Sequence, residues 1–378
     1  MGKKRILVIG STSTSLINFR GDFLKKLKSE GFDVYVAAGH WREGVFETLE
    51  REFEVTPLKY ELQRTGLNPI NDLKTIAQLK HLIKDNKIDL VFPYTVKPVI
   101  YSSIAANANN VPVVSLITGL GFTFTGLTTK AKLLQRLNEF LYRRYVRKNK
   151  AIIFQNKDDK QLFLDRKVLS SANRIEVVSG SGVNLDRFKY KKNYKQDSKI
   201  SFLLIARLIK EKGIGLYIEA AKALKPKYPN AEFHVIGPAQ DSPSAIKVEE
   251  LNALNNNGTL IWHGLQKNIV EHLTEKDVFV LPSYYREGVP RSILEALSVG
   301  LPIITTDSPG CRETVKKDFN GFLVPPKQLK ELIEAMEFFI KNTDKVEEMG
   351  KNSRHYAEER FDVDIINNDL IGIIRSVM

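Results

Sequence analysis

Two acidic residues, Glu287 and Glu295, lie eight positions apart around a glycine turn in the segment VLPSYYREGVPRSILEALSVGLPIITT. The apolar run before the turn, Val278–Leu281, is typical of a strand buried on both faces, and Pro290 suits the first position of a helix. The free N–H groups and the positive dipole end of such a helix favour an anion. We therefore expect an anionic ligand beyond this strand, with one carboxylate on each side of the turn.

Two cations follow another apolar run. Arg207 ends the segment ISFLLIARL, and Lys212 follows in RLIKEKG beside Gly213. Guanidinium and ammonium groups bind phosphate oxygens, so this pair suits a diphosphate, although a solvated basic loop would carry the same residues. The diphosphate is favoured because this loop and the glutamate turn fall at the same edge of one predicted sheet, where ligands of doubly wound sheets bind.

Two glycine loops in the first half of the chain give weaker signals. The loop Gly10–Ser15 follows the first apolar run and suits a phosphate, but one glycine is far from the three-glycine dinucleotide fingerprint. The loop TGLGFTFTG contains Gly119 and Gly121, and glycine there lets backbone approach a ligand closely. A purely structural turn explains this second loop equally well.

The net charge of +13 implies anionic partners, namely nucleic acid, an anionic membrane face or phosphate-bearing substrates. Residues 130–150 contain eight basic side chains and one acid, Glu139, and predict a helix over Lys130–Lys148. We predict that this helix has an apolar face packed on a sheet, formed by Leu133, Leu134, Leu137, Phe140, Leu141 and Tyr145. The basic face consists of Lys132, Arg136, Arg143 and Arg147.

The basic face has two interpretations. It is either a solvated surface or a contact with anionic lipid head groups or an acceptor's diphosphate. Arg64, Tyr94 and Lys97, at strand ends or loops of the same half, are further acceptor candidates. Nucleic acid is disfavoured, because no helix-turn-helix context or aromatic stacking motif accompanies the helix.

The remaining composition excludes several classes. A single cysteine, Cys311, rules out an internal disulfide framework and fits a reducing cytosol. The scattered histidines lack paired metal-ligand spacing, so we expect a metal-independent reaction without a cofactor. The apolar run in MGKKRILVIG is too short for a signal peptide.

The elements that must position these residues alternate between apolar strands and helical patterns, twice along the chain. This alternation predicts parallel sheets covered by helices on both faces. The polar segment Asn193–Lys199 predicts a linker. We expect an α/β protein with a first domain over residues 1–190 and a second over residues 191–361.

Several segments carry a resemblance to a known family. RLIKEKG, REGVPRSILEALSVGLPIITTDSPGCRE and NGFLV resemble the carboxyl-terminal half of the retaining glycosyltransferases of family GT4. LQRTGLNP, YTVKP and LITGLGFTF resemble its PglA-like and CapM-like branch, which extends polyprenyl-diphosphate-linked sugars. The resemblance covers nearly the whole chain. It implies the GT-B fold, with two Rossmann-like doubly wound domains facing across a cleft and residues 362–378 packing back on the first domain.

The resemblance also implies roles for individual residues. Glu287 would contact the donor sugar near its 3-hydroxyl, and Glu295 would hold the ribose hydroxyls. Arg207 and Lys212 would neutralise the diphosphate, assisted by the amides of Gly288–Val289.

Two further donor contacts and one departure from the family pattern follow. Gly10 would lie across the cleft near the donor phosphates, and backbone groups near His263–Gln266, including Gln266, would recognise the base. Many GT4 enzymes carry a histidine in the region that reads LITGLG here. Its role is assigned to no residue of this chain.

The expected function is retaining transfer of a sugar, an N-acetylhexosamine such as GalNAc or GlcNAc, from a UDP donor to an undecaprenyl-diphosphate-linked saccharide. Such an enzyme of bacterial capsule or O-antigen synthesis would be cytoplasmic and peripheral at the inner membrane. One alternative is a UDP-GlcNAc 2-epimerase-like enzyme, whose carboxylate and histidine pattern is not evident. Another is a non-catalytic GT-B binding subunit, against which the complete Glu287, Glu295, Arg207 and Lys212 set argues.

Overall fold

A computed structural model describes residues 2–63, 68–121, 124, 129–191, 194, 199–240, 242 and 244–378, without the side chains of residues 129–131. The chain forms two compact units. The first comprises residues 1–181 and 363–378, and the second residues 182–362.

The first unit alternates strands and helices as the sequence predicts. Its elements up to residue 181 are β1 (Arg5–Thr12), α1 (Ser13–Ser29), β2 (Asp33–His40), α2 (Val45–Glu52), β3 (Thr56–Lys59), α3 (Pro69–Asp85), β4 (Leu90–Pro93), α4 (Val96–Ala108), β5 (Val114–Ile117), α5 (Thr129–Arg144), β6 (Ala151–Phe154), α6 (Lys157–Asp165) and β7 (Ile175–Val177). One 3-10 turn, Val146–Lys148, continues α5.

The strands of this unit are parallel and lie in the order β3-β2-β1-β4, followed by β5-β6-β7. Two isolated parallel bridges, Val91–Val113 and Tyr94–Leu116, join the two groups. The order is that of a Rossmann-like sheet, whose direction of winding reverses between β1 and β4.

The second unit repeats this order. Its elements are β8 (Ser201–Ile205), α7 (Ile214–Leu224), β9 (Glu232–Ile236), α8 (Val248–Asn256), β10 (Ile261–Trp262), α9 (Ile269–Thr274), β11 (Val278–Leu281), α10 (Arg291–Val299), β12 (Ile303–Thr306), β13 (Gly321–Val324), α11 (Leu329–Lys341) and α12 (Asp344–Arg360). The parallel strands run β10-β9-β8-β11-β12-β13, so winding reverses between β8 and β11.

Helices cover both faces of this second sheet, which explains why its strands read as continuous apolar runs. Along β8, Phe202 and Leu204 belong to the core that contains α7 and α11, whereas Leu203 belongs to the core that contains α10. All three side chains are completely buried. Each such burial contributes roughly 1.5–3 kcal/mol, so the strand that carries the Arg207 loop is firmly fixed.

The last helix, α13 (Val363–Arg375), belongs to the first unit. Its Leu370 and Ile374 are completely buried in the core that contains Leu16 and Phe23 of α1. The sheet of the first unit is therefore covered in part by the end of the chain.

Residues 182–190 lie in the second unit, whereas the sequence placed them in the first domain. The Val183 N–H donates to the Phe361 carbonyl at 2.8 Å, and Phe188 is buried in the same core as α10. The Ser298 hydroxyl also donates to the Phe188 carbonyl at 2.6 Å. The sequence pattern missed this because the segment is irregular and carries no strand or helix periodicity.

We predict that Leu370→Ala selectively destabilises the first unit by about 2–5 kcal/mol, because it opens a cavity in a closed core. Ile365→Ala, on the same helix but 41% exposed, should change stability by about 0.5 kcal/mol. Hydrogen exchange of the β1 and β8 amides would measure the two units separately. Equal loss of protection in both strands would contradict the assignment of α13.

Candidate functional site

The candidate site of the second unit lies where winding reverses, between the neighbouring strands β8 and β11. The loop after β8 contains Arg207 and Lys212, and the loop after β11 contains Ser283 and Glu287. Because the strands are parallel, both loops leave the same edge of the sheet, as the sequence predicts.

A nearly buried ion pair joins the two loops. Lys212 Nζ lies 2.5 Å from Glu287 Oε2, and the two side chains are 12% and 13% exposed. Lys212 also lies over the ring of Tyr285, 5.8 Å from its centroid. Charges this poorly hydrated depend strongly on each other, because removing one partner leaves the other desolvated and uncompensated.

Gly213 allows the loops to approach. Its φ is +78°, and a Cβ atom there would lie 2.1 Å from the Pro282 carbonyl oxygen. The Tyr284 N–H donates to the Glu211 carbonyl at 2.9 Å across the same contact. A side chain at position 213 would therefore push Lys212 away from Glu287.

Arg207 lies at the same sheet edge with an exposed side chain. Within the described part of the chain, its guanidinium forms no ion pair. Its guanidinium offers fork-shaped donors to an anion at this edge of the sheet.

The helix after the glutamate turn starts later than predicted. Pro290 is the N-cap residue with an extended ψ of 116°, and α10 begins at Arg291. The prediction that Pro290 occupies the first helical position is therefore wrong. Arg291 Nε donates to Glu295 Oε1 at 2.9 Å. Burial raises the pKa of Glu295, and the Arg291 charge opposes this rise.

Gly288 and Val289 are both buried, and Val289 packs in the core beside α10. Gly288 also lies directly against the Gly310 turn, since a Cβ atom on Gly310 would lie 1.9 Å from the Gly288 carbonyl oxygen. The predicted amide contacts of this segment with a ligand stay a prediction.

The loop after β10 is held by a histidine stack that sequence reasoning missed. The His263 ring lies between those of His234, at 5.3 Å, and His272, at 5.0 Å. His234 Nδ1 and His263 Nε2 are 3.0 Å apart. Burial lowers the pKa of His263, and it lowers that of His234 to about 4, so His234 is uncharged at neutral pH.

Gln266 closes this loop, because its Nε2 donates to the His263 carbonyl at 2.6 Å. The Gly264 carbonyl accepts from the Gly237 N–H at 2.9 Å. The backbone carbonyls of His263 and Gly264 are thus both engaged within the unit. No sequence signal identifies the stack, because its members are 29 and 9 residues apart and lack a ligand motif.

In the first unit, Tyr94 explains why position 10 is glycine. A Cβ atom on Gly10 would lie 2.3 Å from the Tyr94 hydroxyl oxygen. That hydroxyl bonds with Ser15 Oγ at 2.7 Å, and the Tyr60 hydroxyl donates to the Gly10 carbonyl at 2.8 Å. Burial raises the pKa of Tyr94 to about 12. With 2% exposure, Tyr94 supports the Gly10 loop from within the core.

The other acceptor candidates of the first unit are placed differently. Lys97 is engaged within the unit, because its Nζ lies 3.3 Å from Asp72 Oδ1 and donates to the Gln63 carbonyl at 2.8 Å. Gly119 and Gly121 lie in the turn after β5, with φ of +108° and +59°. Arg64 lies outside the described residues.

The predicted apolar face of α5 is confirmed at Leu141, which packs against the core of the first unit, and is wrong at Leu133 and Phe140. Leu133 and Phe140 are 67% and 58% exposed, whereas Gln135, Glu139 and Tyr142 are buried. Polar residues are buried here because Glu139 accepts from Gln135 at 2.8 Å and from a guanidinium on the neighbouring segment, Arg166, at 3.0 Å.

The predicted basic face of α5 is divided. Lys132 and Arg136 are exposed. Arg143 donates to the carbonyls of Arg166 and Lys167, and Arg147 donates to that of Lys167. Arg143 and Arg147 therefore satisfy carbonyls at the carboxyl end of α6, which suits the dipole of that helix.

Within the described residues, no helix combines the length and the hydropathy needed to cross a membrane. No three or more His, Cys, Asp or Glu side chains in that part of the chain are grouped so that they could hold a metal ion.

Comparison with known proteins gives matches over both halves. The family described as Glycosyl transferases group 1 matches residues 186–356, and the family described as Glycosyl transferase 4-like matches residues 5–156. In structure, the chain resembles Anabaena Alr3699/HepE in complex with UDP and glucose, with a TM-score of 0.79 and 19% identity over 99% of this chain and 100% of that one.

Two relatives are more similar in sequence. The chain is 28% identical over 374 residues, 96% of each protein, to the N,N′-diacetylbacillosaminyl-diphospho-undecaprenol alpha-1,3-N-acetylgalactosaminyltransferase of Campylobacter jejuni. It is 29% identical over 312 residues to the UDP-Gal:alpha-D-GlcNAc-diphosphoundecaprenol alpha-1,3-galactosyltransferase of Escherichia coli, covering 79% of this chain and 78% of that protein.

We predict that Gly213→Ala lowers the free energy of unfolding by about 2 kcal/mol or more, through left-handed strain and overlap with Pro282. Gly215→Ala is the matched control, because nothing lies within 4 Å of a Cβ atom there and the position is helical. The control should be neutral or stabilising by up to about 1 kcal/mol. Urea unfolding measures both, and equal stability of the two variants would contradict the close approach of the loops.

Proposed function

The chain belongs to the group 1 glycosyltransferases, with a glycosyl transferase 4-like domain ahead of the group 1 domain, and from this we propose that it transfers an N-acetylhexosamine from a UDP-sugar to an undecaprenyl-diphosphate-linked saccharide. The Lys212–Glu287 ion pair beside Arg207 is the observation that carries the proposal. The ion pair lies at the point where the winding of the sheet reverses, and doubly wound sheets bind nucleotides at this point.

The chemistry needs charge stabilisation on the leaving group. As the bond between the sugar C1 and the diphosphate oxygen breaks, negative charge develops on the departing UDP, and an acceptor hydroxyl oxygen bonds to C1 and loses its proton. Arg207 and Lys212 supply preorganised positive charge for that diphosphate. Glu287 contacts the donor sugar, and Glu295 contacts the ribose hydroxyls. The family implies retention of the anomeric configuration.

We propose that the reaction needs no metal ion, because two cationic side chains already serve the diphosphate. The Asp-x-Asp pair of the sequence, Asp362 and Asp364, lies at the start of α13 and not in the loops that carry Arg207 and Glu287. Turnover should therefore persist in a chelator.

The substrates follow from the two relatives. One is named as a transferase of N-acetylgalactosamine, the other as a user of UDP-Gal, and both are named for diphosphoundecaprenol-linked acceptors. The proposed role is therefore in bacterial surface polysaccharide synthesis, such as capsule or O-antigen. Because both relatives are named as transferases, they do not favour the epimerase or the non-catalytic subunit as the function of this chain.

We predict that Glu287→Gln lowers turnover at least about 100-fold without weakening UDP binding, because the amide keeps the size of the side chain but removes the charge that competes with the diphosphate for Lys212. Lys212→Met should weaken UDP binding as well, since that side chain faces the diphosphate. Turnover of UDP-GalNAc, UDP-GlcNAc and UDP-Gal with a lipid-linked acceptor, in EDTA, measures the first effect, and calorimetry with UDP measures the second.

Glu219→Gln is the matched control, since Glu219 forms an exposed ion pair with Lys222 on α7. The control should retain wild-type turnover. Full activity of Glu287→Gln would contradict the proposed role of the pair. Conversion of a UDP-sugar to its epimer without acceptor would establish the alternative enzyme instead.

We also propose that the enzyme is cytoplasmic and that α5 places it on an anionic membrane. The exposed side of this helix combines Leu133 and Phe140 with Lys132 and Arg136. Apolar side chains flanked by cations suit the interface of a bilayer, where each basic residue contributes about 1 kcal/mol. A membrane contact would bring the enzyme to a lipid-linked acceptor.

We predict that Lys132→Glu/Arg136→Glu weakens binding to anionic vesicles at least about tenfold, and that salt releases the wild type. Leu133→Asn/Phe140→Asn should weaken binding with less change in its salt dependence, because it removes apolar contact. Lys330→Glu/Lys351→Glu, on exposed residues of the second unit, is the control. Vesicle sedimentation measures all four proteins, and salt-insensitive binding by the wild type would count against this surface.

A further inference from the structure

Ser283, the second residue of the loop that carries Glu287, is not a predicted site residue and is completely buried. Its Oγ lies 2.9 Å from Glu287 Oε1, on the oxygen that Lys212 does not contact. The same Oγ accepts the Tyr285 N–H at 3.2 Å and lies 3.3 Å from the Glu211 carbonyl oxygen. Ser283 thus connects the carboxylate to the end of β11.

The single hydroxyl proton of Ser283 is assigned by these distances. A serine hydroxyl donates one hydrogen bond and accepts others. The carboxylate is both closer and charged, and such bonds are the stronger ones. The Glu211 carbonyl already accepts the Tyr284 N–H at 2.9 Å. Ser283 therefore donates to Glu287.

Two further hydroxyls hold Ser283 itself. Thr306 Oγ1 at the end of β12 donates to the Ser283 carbonyl, and Ser308 Oγ donates to it at 3.1 Å. The two hydroxyl oxygens are 2.8 Å apart, and both side chains are buried. The position of Ser283 is consequently fixed by the neighbouring strand, independently of any ligand.

From this geometry we infer that Ser283 is a positioning residue, which fixes the carboxylate of Glu287 for the donor sugar while Lys212 serves the diphosphate. The inference rests on the proposed function. A diphosphate competes with Glu287 for the Lys212 ammonium, because both are anions. The Ser283 hydroxyl donates to Oε1 of Glu287, the oxygen opposite the one that pairs with Lys212. It therefore keeps the carboxylate oriented toward the donor sugar when Lys212 binds the diphosphate.

The test compares Ser283→Ala with Ser298→Ala. Ser298 is an equally buried serine of the same unit. Its hydroxyl donates to the Phe188 carbonyl and not to Glu287. We expect Ser283→Ala to lower kcat by about 10- to 100-fold, as loss of a bond to a charged group implies, and Ser298→Ala to keep wild-type kcat. Affinity for UDP, which lacks the sugar, should stay within about twofold for both.

The ratio of UDP-sugar affinity to UDP affinity isolates the positioning role. Ser283→Ala should lower this ratio in the wild-type background and leave it unchanged in a Glu287→Gln background, because the serine acts through that carboxylate. Equal effects in both backgrounds, or a kcat equal to that of Ser298→Ala, would overturn the inference. If Ser283→Ala does not fold, Ser283→Cys replaces it, with a similar volume and a weak donor.

Failure of this inference is distinguishable from failure of the proposed function. If Glu287→Gln is inactive while Ser283→Ala resembles the wild type, the positioning role is wrong and the glycosyl transfer stands. If Glu287→Gln retains full activity, the proposed role of Glu287 fails, and the role of Ser283 fails with it.

Discussion

The ion pair between Lys212 and Glu287 is the contact on which the arrangement of the second unit depends. Its two residues are 75 positions apart in the chain and meet because β8 and β11 are parallel neighbours. A nearly buried lysine and glutamate each need the other as a charge partner, and this mutual need fixes the spacing of their loops. Gly213 gives the loops room to approach, and the Ser283 hydroxyl holds the second carboxylate oxygen. The pair thereby keeps an anion-binding cation and an acidic group side by side before any ligand arrives.

The architecture and the location of this site could be predicted from the sequence. Continuous apolar runs such as Val278–Leu281 occur where helices cover both faces of a parallel sheet. The alternation of strands and helices could therefore be predicted from these runs. Gly213 and the glutamate turn indicated which edge of the second sheet carries the candidate site. The domain boundary near residue 182 could not be predicted, because Val183 and Phe188 pack in the core of the second unit but lie in an irregular segment without strand or helix periodicity.

The remaining errors share one physical cause, which is that polar groups find partners far away in sequence. Helical periodicity placed Leu133 and Phe140 inside, but the Glu139 carboxylate is buried instead because Arg166 meets it. The same holds for Tyr94, whose hydroxyl finds Ser15, 79 residues away, and so lies in the core. Net charge also overstates the cations open to ligands, since some arginines satisfy helix carbonyls. Sequence patterns predict burial from the polarity of a side chain alone. In the folded chain a polar side chain can be buried when the fold supplies a hydrogen-bond or ion-pair partner.

The packing of α13 has a consequence for how the protein is made. The second unit is one continuous segment, residues 182–362, whereas the first unit needs residues 363–378 to complete its core. A ribosome that has released residue 362 has delivered everything that the second sheet requires, but the first sheet still lacks the helix that contributes Leu370. Domains usually fold in the order of synthesis, amino-terminal first. In this chain the core of the first unit is completed only by α13, which is synthesised after the whole of the second unit.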